Sequence, residues 1–190
     1  IWGGKWHSQY ARPEQPFVLE LGCGKGGFIS QLACAHPANN YMGFDITDKV
    51  LILAKRKIEA AYAAAGRTPD NVCILSADIE RIRNVLNAQD VVARIYINFC
   101  NPWSKNSSSN KHRLTYPRQL IQYREFLADG GEIWFKTDDD DLFRDSLAYF
   151  PPRAMKSPGR PSTCTGTNRH GTSARSMRAC SPKWAFPSRR

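Results

Sequence analysis

The sequence predicts an α/β protein built on a doubly wound, mostly parallel sheet. Three observations carry that reading. Short β-rich runs alternate with runs of helical spacing from Phe17 to Phe150, a glycine turn follows the first β-rich run directly, and the strand ends are polar. FVLEL (17–21) is the first strand and FISQLACAH (28–36) has helical spacing. YMGFDI (41–46) is the second strand, and DKVLILAKRKIEAAYAAAG (48–66) is a long helix with Asp48 as its cap and Gly66 as its stop. NVCILSAD (71–78) and ARIYINF (93–99) supply the third and fourth strands. In YPRQLIQYREFLADGG (116–131), Pro117 sits in the first turn of a helix that closes on Gly130 and Gly131, and EIWFKTD (132–138) is the fifth strand.

Composition sets the bounds. The 190 residues are 42% hydrophobic, enough for one domain around one core. No apolar run approaches the roughly 18 residues of a membrane helix, and no signal-like segment opens the chain, so the expectation is a soluble, cytoplasmic protein with no membrane partner and no obligate protein partner. The first residue is not Met, which reads as a fragment. The six cysteines form no CxxC pair and no metal-ligand spacing, and are expected to be ordinary thiols with no metal.

The formal net charge is +10, but residues 151–190 hold nine Lys or Arg and no Asp or Glu, leaving 1–150 at +1. The charge therefore says nothing about nucleic-acid binding by the first 150 residues. The same tail holds six of the twelve prolines and shows no periodicity, the composition of a disordered basic segment. Two regions follow: a domain at 1–150 and a Pro/Arg/Ser-rich tail at 151–190.

The segment GCGKGG meets the pattern G-x-G-x-x-G through Gly22, Gly24 and Gly27, between a strand and a helix. Glycines there permit a tight turn and close approach of a ligand to the backbone, and Asp45 at the end of the second strand can accept from a ribose diol. These features suit a dinucleotide and S-adenosylmethionine equally. Glu20 and Asp78 add two acids at the ends of the first and third strands. Three carboxylates favour a cationic sulfonium and would repel a pyrophosphate. The fourth strand then ends in Asn101-Pro102-Trp103, a polar group, a rigid ring and an aromatic at the tip that faces the ligand.

LELGCGKGGF, IYINFCNPWSK, RLTYPRQL and GGEIWFKTDDDDLF occur in this order, and together they resemble the bacterial tRNA (guanine-N7-)-methyltransferases over nearly all of residues 1–150. The resemblance implies a Rossmann-like class I methyltransferase that moves the methyl group of S-adenosylmethionine to N7 of a guanosine in tRNA. It implies donor contacts at Glu20, Asp45, Asp78 and Asn101, beside Gly22 and Gly24 of the glycine turn, and substrate contacts at Lys105 and Asp138, the last orienting the guanine, while Lys111 and Arg113 of the basic loop are expected to meet substrate phosphates. His112 belongs to the same basic loop. The family more often has Asp where Asn101 stands, and Asn retains the acceptor oxygen without the charge. Asp139 to Asp141 read as a solvated cap for the helix LFRDSLAYF. Asn-Pro-Trp also resembles the Asn-Pro-Pro-aromatic motif of amino-group methyltransferases, the alternative assignment. A nicotinamide oxidoreductase would leave Asn101, Pro102 and Trp103 without a role, and a chain that only binds donor or RNA is the non-catalytic alternative.

The family's C-terminal Thr-Glu-Tyr-Glu motif is missing from residues 151–190. Yet Ser176 to Cys180 can be encoded by AGT ATG AGG GCA TGT, and the same bases read one nucleotide earlier, after a G from Arg175, give Glu-Tyr-Glu-Gly-Met. The following codons allow Gly-Leu-Pro-Ile. The expectation is a frameshift close after Phe150, with 151–190 out of frame, unable to supply the last strands and leaving the chain destabilised and poorly active.

Overall fold

The computed structural model describes residues 3–103 and 107–150, together with the backbone of 183–185. Six strands form one sheet: β1 (Phe17–Leu21), β2 (Asn40–Asp45), β3 (Val72–Ser76), β4 (Val92–Asn98), β5 (Leu127–Lys136) and β6 (Lys183–Ala185). Their order is β3-β2-β1-β4-β5-β6, with the first five parallel and β6 antiparallel to β5. The expected doubly wound parallel sheet is therefore present. Beyond residue 150, Lys183–Ala185 pairs its backbone with Glu132, Ile133 and Trp134 of β5. A bare strand edge presents unpaired N–H and C=O groups, so even three residues of pairing remove some of that liability.

The central strand β1 is buried along its whole length, as a parallel strand covered on both faces must be. Phe17, Leu19 and Leu21 point into one core with Ile95, Ile97, Phe135, Tyr123 and Leu142. Val18 points into the other, with Ile29, Ala33, Leu51, Ala54, Ile58 and Tyr62. The second core belongs to α1 (Gly27–Ala35) and α2 (Asp48–Ala64). The first is closed by α3 (Pro117–Arg124) and α4 (Asp140–Tyr149).

Local signals held at most element ends. Gly66 follows α2 at φ +64, its N–H donates to the Ala63 carbonyl at 3.0 Å, and Arg67 N–H donates to Tyr62 at 2.9 Å. That double closure is the left-handed stop that only a residue without a Cβ adopts cheaply. Pro117 opens α3 as expected. Asp48 is not the cap of α2: Thr47 occupies that position, and Asp48 is the first helical residue, where its charge still complements the helix dipole.

The largest departure is at α3. The sequence predicts a helix continuing to the Gly130-Gly131 pair, whereas α3 ends at Arg124 and β5 starts at Leu127. Phe126 and Leu127 are buried in the core, and Leu127 pairs with Val92. Between Val92 and Arg94 on β4, the partner residue jumps from Leu127 to Glu132. Gly130, at φ +74, lies in the extra length, and a Cβ at Gly131 would stand 2.8 Å from the Ala128 carbonyl. The glycine pair thus ends no helix and instead absorbs a bulge.

The β1 to β4 adjacency matters for function. Helices leave β1 on one side and β4 on the other, so the crevice above their C-terminal ends is where open α/β sheets bind ligands.

Candidate active site

A cleft of about 390 Å³ opens at that switch point. Its walls include Gly22, Gly24, Asp45, Asp78 and Asn101, which come from the ends of β1, β2, β3 and β4. Five of the six residues expected to hold the donor are thus brought together by the fold. The sixth, Glu20, is not among the residues lining the cleft and is 4% exposed.

The glycine turn is built from backbone hydrogen bonds. Gly22 and Cys23 N–H both donate to the Phe44 carbonyl, at 2.9 and 2.8 Å, and the Gly26 amide closes back on Cys23 at 2.9 Å. Gly24 has φ +51, and no heavy atom lies within 4 Å of where its Cβ would be. The backbone there is open to close approach by a ligand, which is the use the sequence predicts. The third glycine of the motif is corrected. Gly27 has an ordinary φ, while Gly26 sits at φ +70 with its absent Cβ 2.7 Å from that of Ala54. Gly26 is what lets α1 meet α2. Gly26→Ala is expected to lower stability by about 2–4 kcal/mol through combined strain and overpacking, read as a fall in the urea midpoint at constant slope.

Asp45 is half-buried at the tip of β2. Its Oδ2 accepts from Gly24 N–H at 2.9 Å and its Oδ1 from Thr47 N–H at 2.9 Å. Each carboxylate oxygen retains a further lone pair, so two adjacent hydroxyls can still donate to it. Asp78 caps the 3₁₀ helix Ile79–Asn84, accepting from Glu80 N–H at 2.9 Å, with Arg81 Nε 3.7 Å away. Asn101 is exposed, and its Oδ1 accepts from Trp103 N–H at 3.1 Å. That oxygen retains a second lone pair, so both it and the amide NH2 can meet a ligand.

Glu20 Oε1 accepts from Asn98 Nδ2 at 3.3 Å, while Oε2 is buried without a hydrogen-bond partner. Burial pushes the carboxyl up to about 7, with hydrogen bonds from Asn98 and from the Ile29 backbone amide opposing the shift. An unsatisfied carboxylate oxygen under the glycine turn favours a cation above it. The thiols of Cys23 and Cys100 are both pushed up to about 12 by burial, so neither is a ready nucleophile. The described cysteines, Cys23, Cys34, Cys73 and Cys100, are free.

The residues expected to hold substrate are scattered. Lys105 lies outside the described residues. Lys111 is exposed at the end of the 3₁₀ helix Ser107–His112. Asp138 is exposed just beyond β5, next to Asp139, whose Oδ1 caps α4 through Leu142 N–H at 2.6 Å. Arg113 is corrected: it is 2% exposed, its Nε donates to the Pro102 carbonyl at 2.7 Å, and its Nη1 pairs with Asp145 on α4. A guanidinium so committed holds the Asn101-Pro102-Trp103 loop and cannot reach a phosphate. Its neighbour His112 lines the cleft instead.

Ile46 and Phe99 were not singled out by sequence reasoning, yet both line the cleft and are 70% and 54% exposed. The available signal was an apolar residue placed immediately after a strand's final polar position.

Glycine turn, strand-end acids and switch-point cleft together define an α/β protein with the methyltransferase architecture. The aminoglycoside resistance methyltransferase NpmB1 shares this fold with a TM-score of 0.58 at 19% identity, over 94% of this chain and 89% of that one. The precorrin-6y C5,15-methyltransferase of Geobacter metallireducens GS-15 shares it with a TM-score of 0.52 at 11% identity, over 71% and 60%. Residues 14–155 match the putative methyltransferase family, and the chain belongs to that family. It is 52% identical over 147 residues to the tRNA (guanine-N(7)-)-methyltransferase of Clostridium perfringens (strain SM101 / Type A), covering 77% of this chain and 67% of the relative. The protein of the same name from Ruminiclostridium cellulolyticum is 52% identical over 148 residues, covering 77% and 62%. The chain spans about two thirds of the length of these relatives.

Proposed function

We propose that this chain methylates N7 of a guanosine in tRNA, using S-adenosylmethionine, in the cytoplasm. The observation that carries the reading is the convergence of Gly22, Gly24, Asp45, Asp78 and Asn101 on one cleft in a chain 52% identical to proteins of that name. When bound, the donor supplies an electrophilic methyl group on a sulfonium. The chain's own groups bind and orient. Asp45 accepts from the ribose hydroxyls, the open backbone at Gly24 admits the amino-acid end, and Glu20 places negative charge beneath it. Guanine N7 carries a lone pair and no proton, so no general base is needed, and alignment of the two reactants can supply most of the acceleration. Asp138 orients the guanine edge, where a carboxylate can accept from the ring N–H and exocyclic amine, and Lys105 and Lys111 meet phosphates.

The test is transfer of labelled methyl groups to tRNA transcripts, followed by digestion to nucleosides. Label is expected in 7-methylguanosine. Label in a methylated adenine, or in protein, would instead support an amino-group methyltransferase.

The domain assignment is part of the same proposal: residues 1–150 are the methyltransferase unit and 151–190 are read out of frame. The coding DNA from Asp138 to the stop codon is expected to carry an inserted or deleted base near Phe150. An alternate frame broken by stop codons would refute that.

A further inference from the structure

We propose that Trp103 is the platform on which the target purine stacks once it has been extruded from the RNA, an inference that rests on the RNA-methylating function proposed above. Trp103 is 41% exposed and lines the cleft at the tip of β4. Its backbone has φ +50, and Phe99, four residues earlier, has φ +49. Bulky side chains rarely adopt this conformation, and it persists only where the surroundings impose it. Here they do. The Asn101 side chain accepts from Trp103 N–H at 3.1 Å, and buried Arg113 holds the Pro102 carbonyl at 2.7 Å. The loop is clamped from both sides of the proline, and the result is an indole turned toward the cleft instead of the core.

The ring is also backed. His112 packs against it with centroids 5.2 Å apart and planes at 42°. His112 Nδ1 meets Glu80 Oε1 at 2.5 Å, and Glu80 Oε2 accepts from Arg118 at 2.9 Å. A large aromatic that the fold rigidifies yet leaves two-fifths exposed has been held for a flat partner. A stacked base fits that chemistry, since every base has a π-face and an extruded base loses the neighbours it stacked on.

The donor carries its own flat ring, adenine, which could compete for this role. Position in the sheet argues against it. With the ribose on Asp45 at the end of β2, the nucleoside lies over the β2 and β3 side, where Asp78 and Ile79 line the cleft. The strand order then places the reacting end toward β4, and the acceptor must meet it there.

The experiment compares Trp103→Leu, which keeps apolar bulk without a π-face, with Trp103→Phe, which keeps a smaller one. Donor affinity is measured by calorimetry, kcat and KM with a tRNA transcript, and folding by cooperative thermal melts. Trp103→Leu is expected to lower kcat/KM for tRNA by about 10- to 100-fold while donor affinity stays within about threefold. Trp103→Phe is expected to recover most of that loss, which a merely space-filling role would not predict. Equal tRNA kinetics for wild type and the Leu variant would overturn the proposal, as would equal losses in the Leu and Phe variants. A donor affinity that falls in step with turnover would assign the ring to adenine and also overturn it. If neither the unsubstituted chain nor one whose C-terminus is restored in frame moves a methyl group to tRNA, the function proposed above fails and this subsite with it, an outcome separate from a Trp103 effect in an active protein.

Discussion

Asp45→Ala is expected to weaken binding of S-adenosylmethionine by about 100-fold or more, because two hydroxyl bonds to a carboxylate together contribute about 3 kcal/mol or more. The loss has a second source. Asp45 also accepts from Gly24 N–H at 2.9 Å, so removing the carboxylate frees the turn that the donor must approach. Asp45→Asn retains one acceptor oxygen and should lose about tenfold, because a neutral acceptor makes weaker bonds than an ionised one. Calorimetric titration with the donor and with its demethylated product reads both effects. Because the ribose is common to the two ligands, both affinities should fall by the same factor. An Asp45→Ala protein that binds as wild type does would remove Asp45 from the site.

The second large effect belongs to Glu20. Burial raises its carboxyl to about 7, so the ligand-free folded protein holds a proton there that the unfolded chain releases near the ordinary carboxylate range. A raised acid stabilises the fold at low pH. The contribution is fully present below the unfolded value and is lost as pH rises through about 7. The size of the shift corresponds to roughly 3 kcal/mol, the net of burial against the Asn98 and Ile29 hydrogen bonds. Glu20→Gln keeps the shape without the charge. At pH 8 it should raise ligand-free stability by about 2–3 kcal/mol and flatten the decline expected for the unsubstituted chain between pH 5 and pH 8, measured by urea unfolding across that range.

The same substitution should harm binding selectively. An ionised Glu20 favours a cationic sulfonium over the neutral thioether of the product, so Glu20→Gln is expected to weaken the donor by about tenfold more than the product. Equal losses for the two ligands would show that Glu20 supports the turn without sensing the charge. A stability profile that does not change with the substitution would show that the carboxyl is already ionised in the folded protein.

The strand and helix order, the glycine turn and the acids at the strand tips were legible in the sequence because each is set by neighbours a few residues away. Alternating apolar runs specify buried parallel strands, and a stop such as Gly66 depends only on its own backbone angle. Family resemblance then selected Gly22, Gly24, Asp45, Asp78 and Asn101, and the fold gathers them. What sequence spacing misassigned depends on contacts between distant segments. Gly26 matters more than Gly27 because α2 crosses α1 at Ala54, which no local pattern encodes. The Gly130-Gly131 pair looks like a helix stop, but β4 pairs with Leu127 and turns the pair into a bulge. Arg113 looks like one more basic residue in a loop, and only α4, bringing Asp145 alongside it, makes it a buried clamp. Sequence alone thus determined the class of fold, through local periodicity and short motifs, and the family resemblance picked out residues that the fold gathers on one cleft. Tertiary packing decided which glycine is a joint, which arginine is a strut and which aromatic faces the cleft, because those roles follow from the distances between elements far apart in the chain.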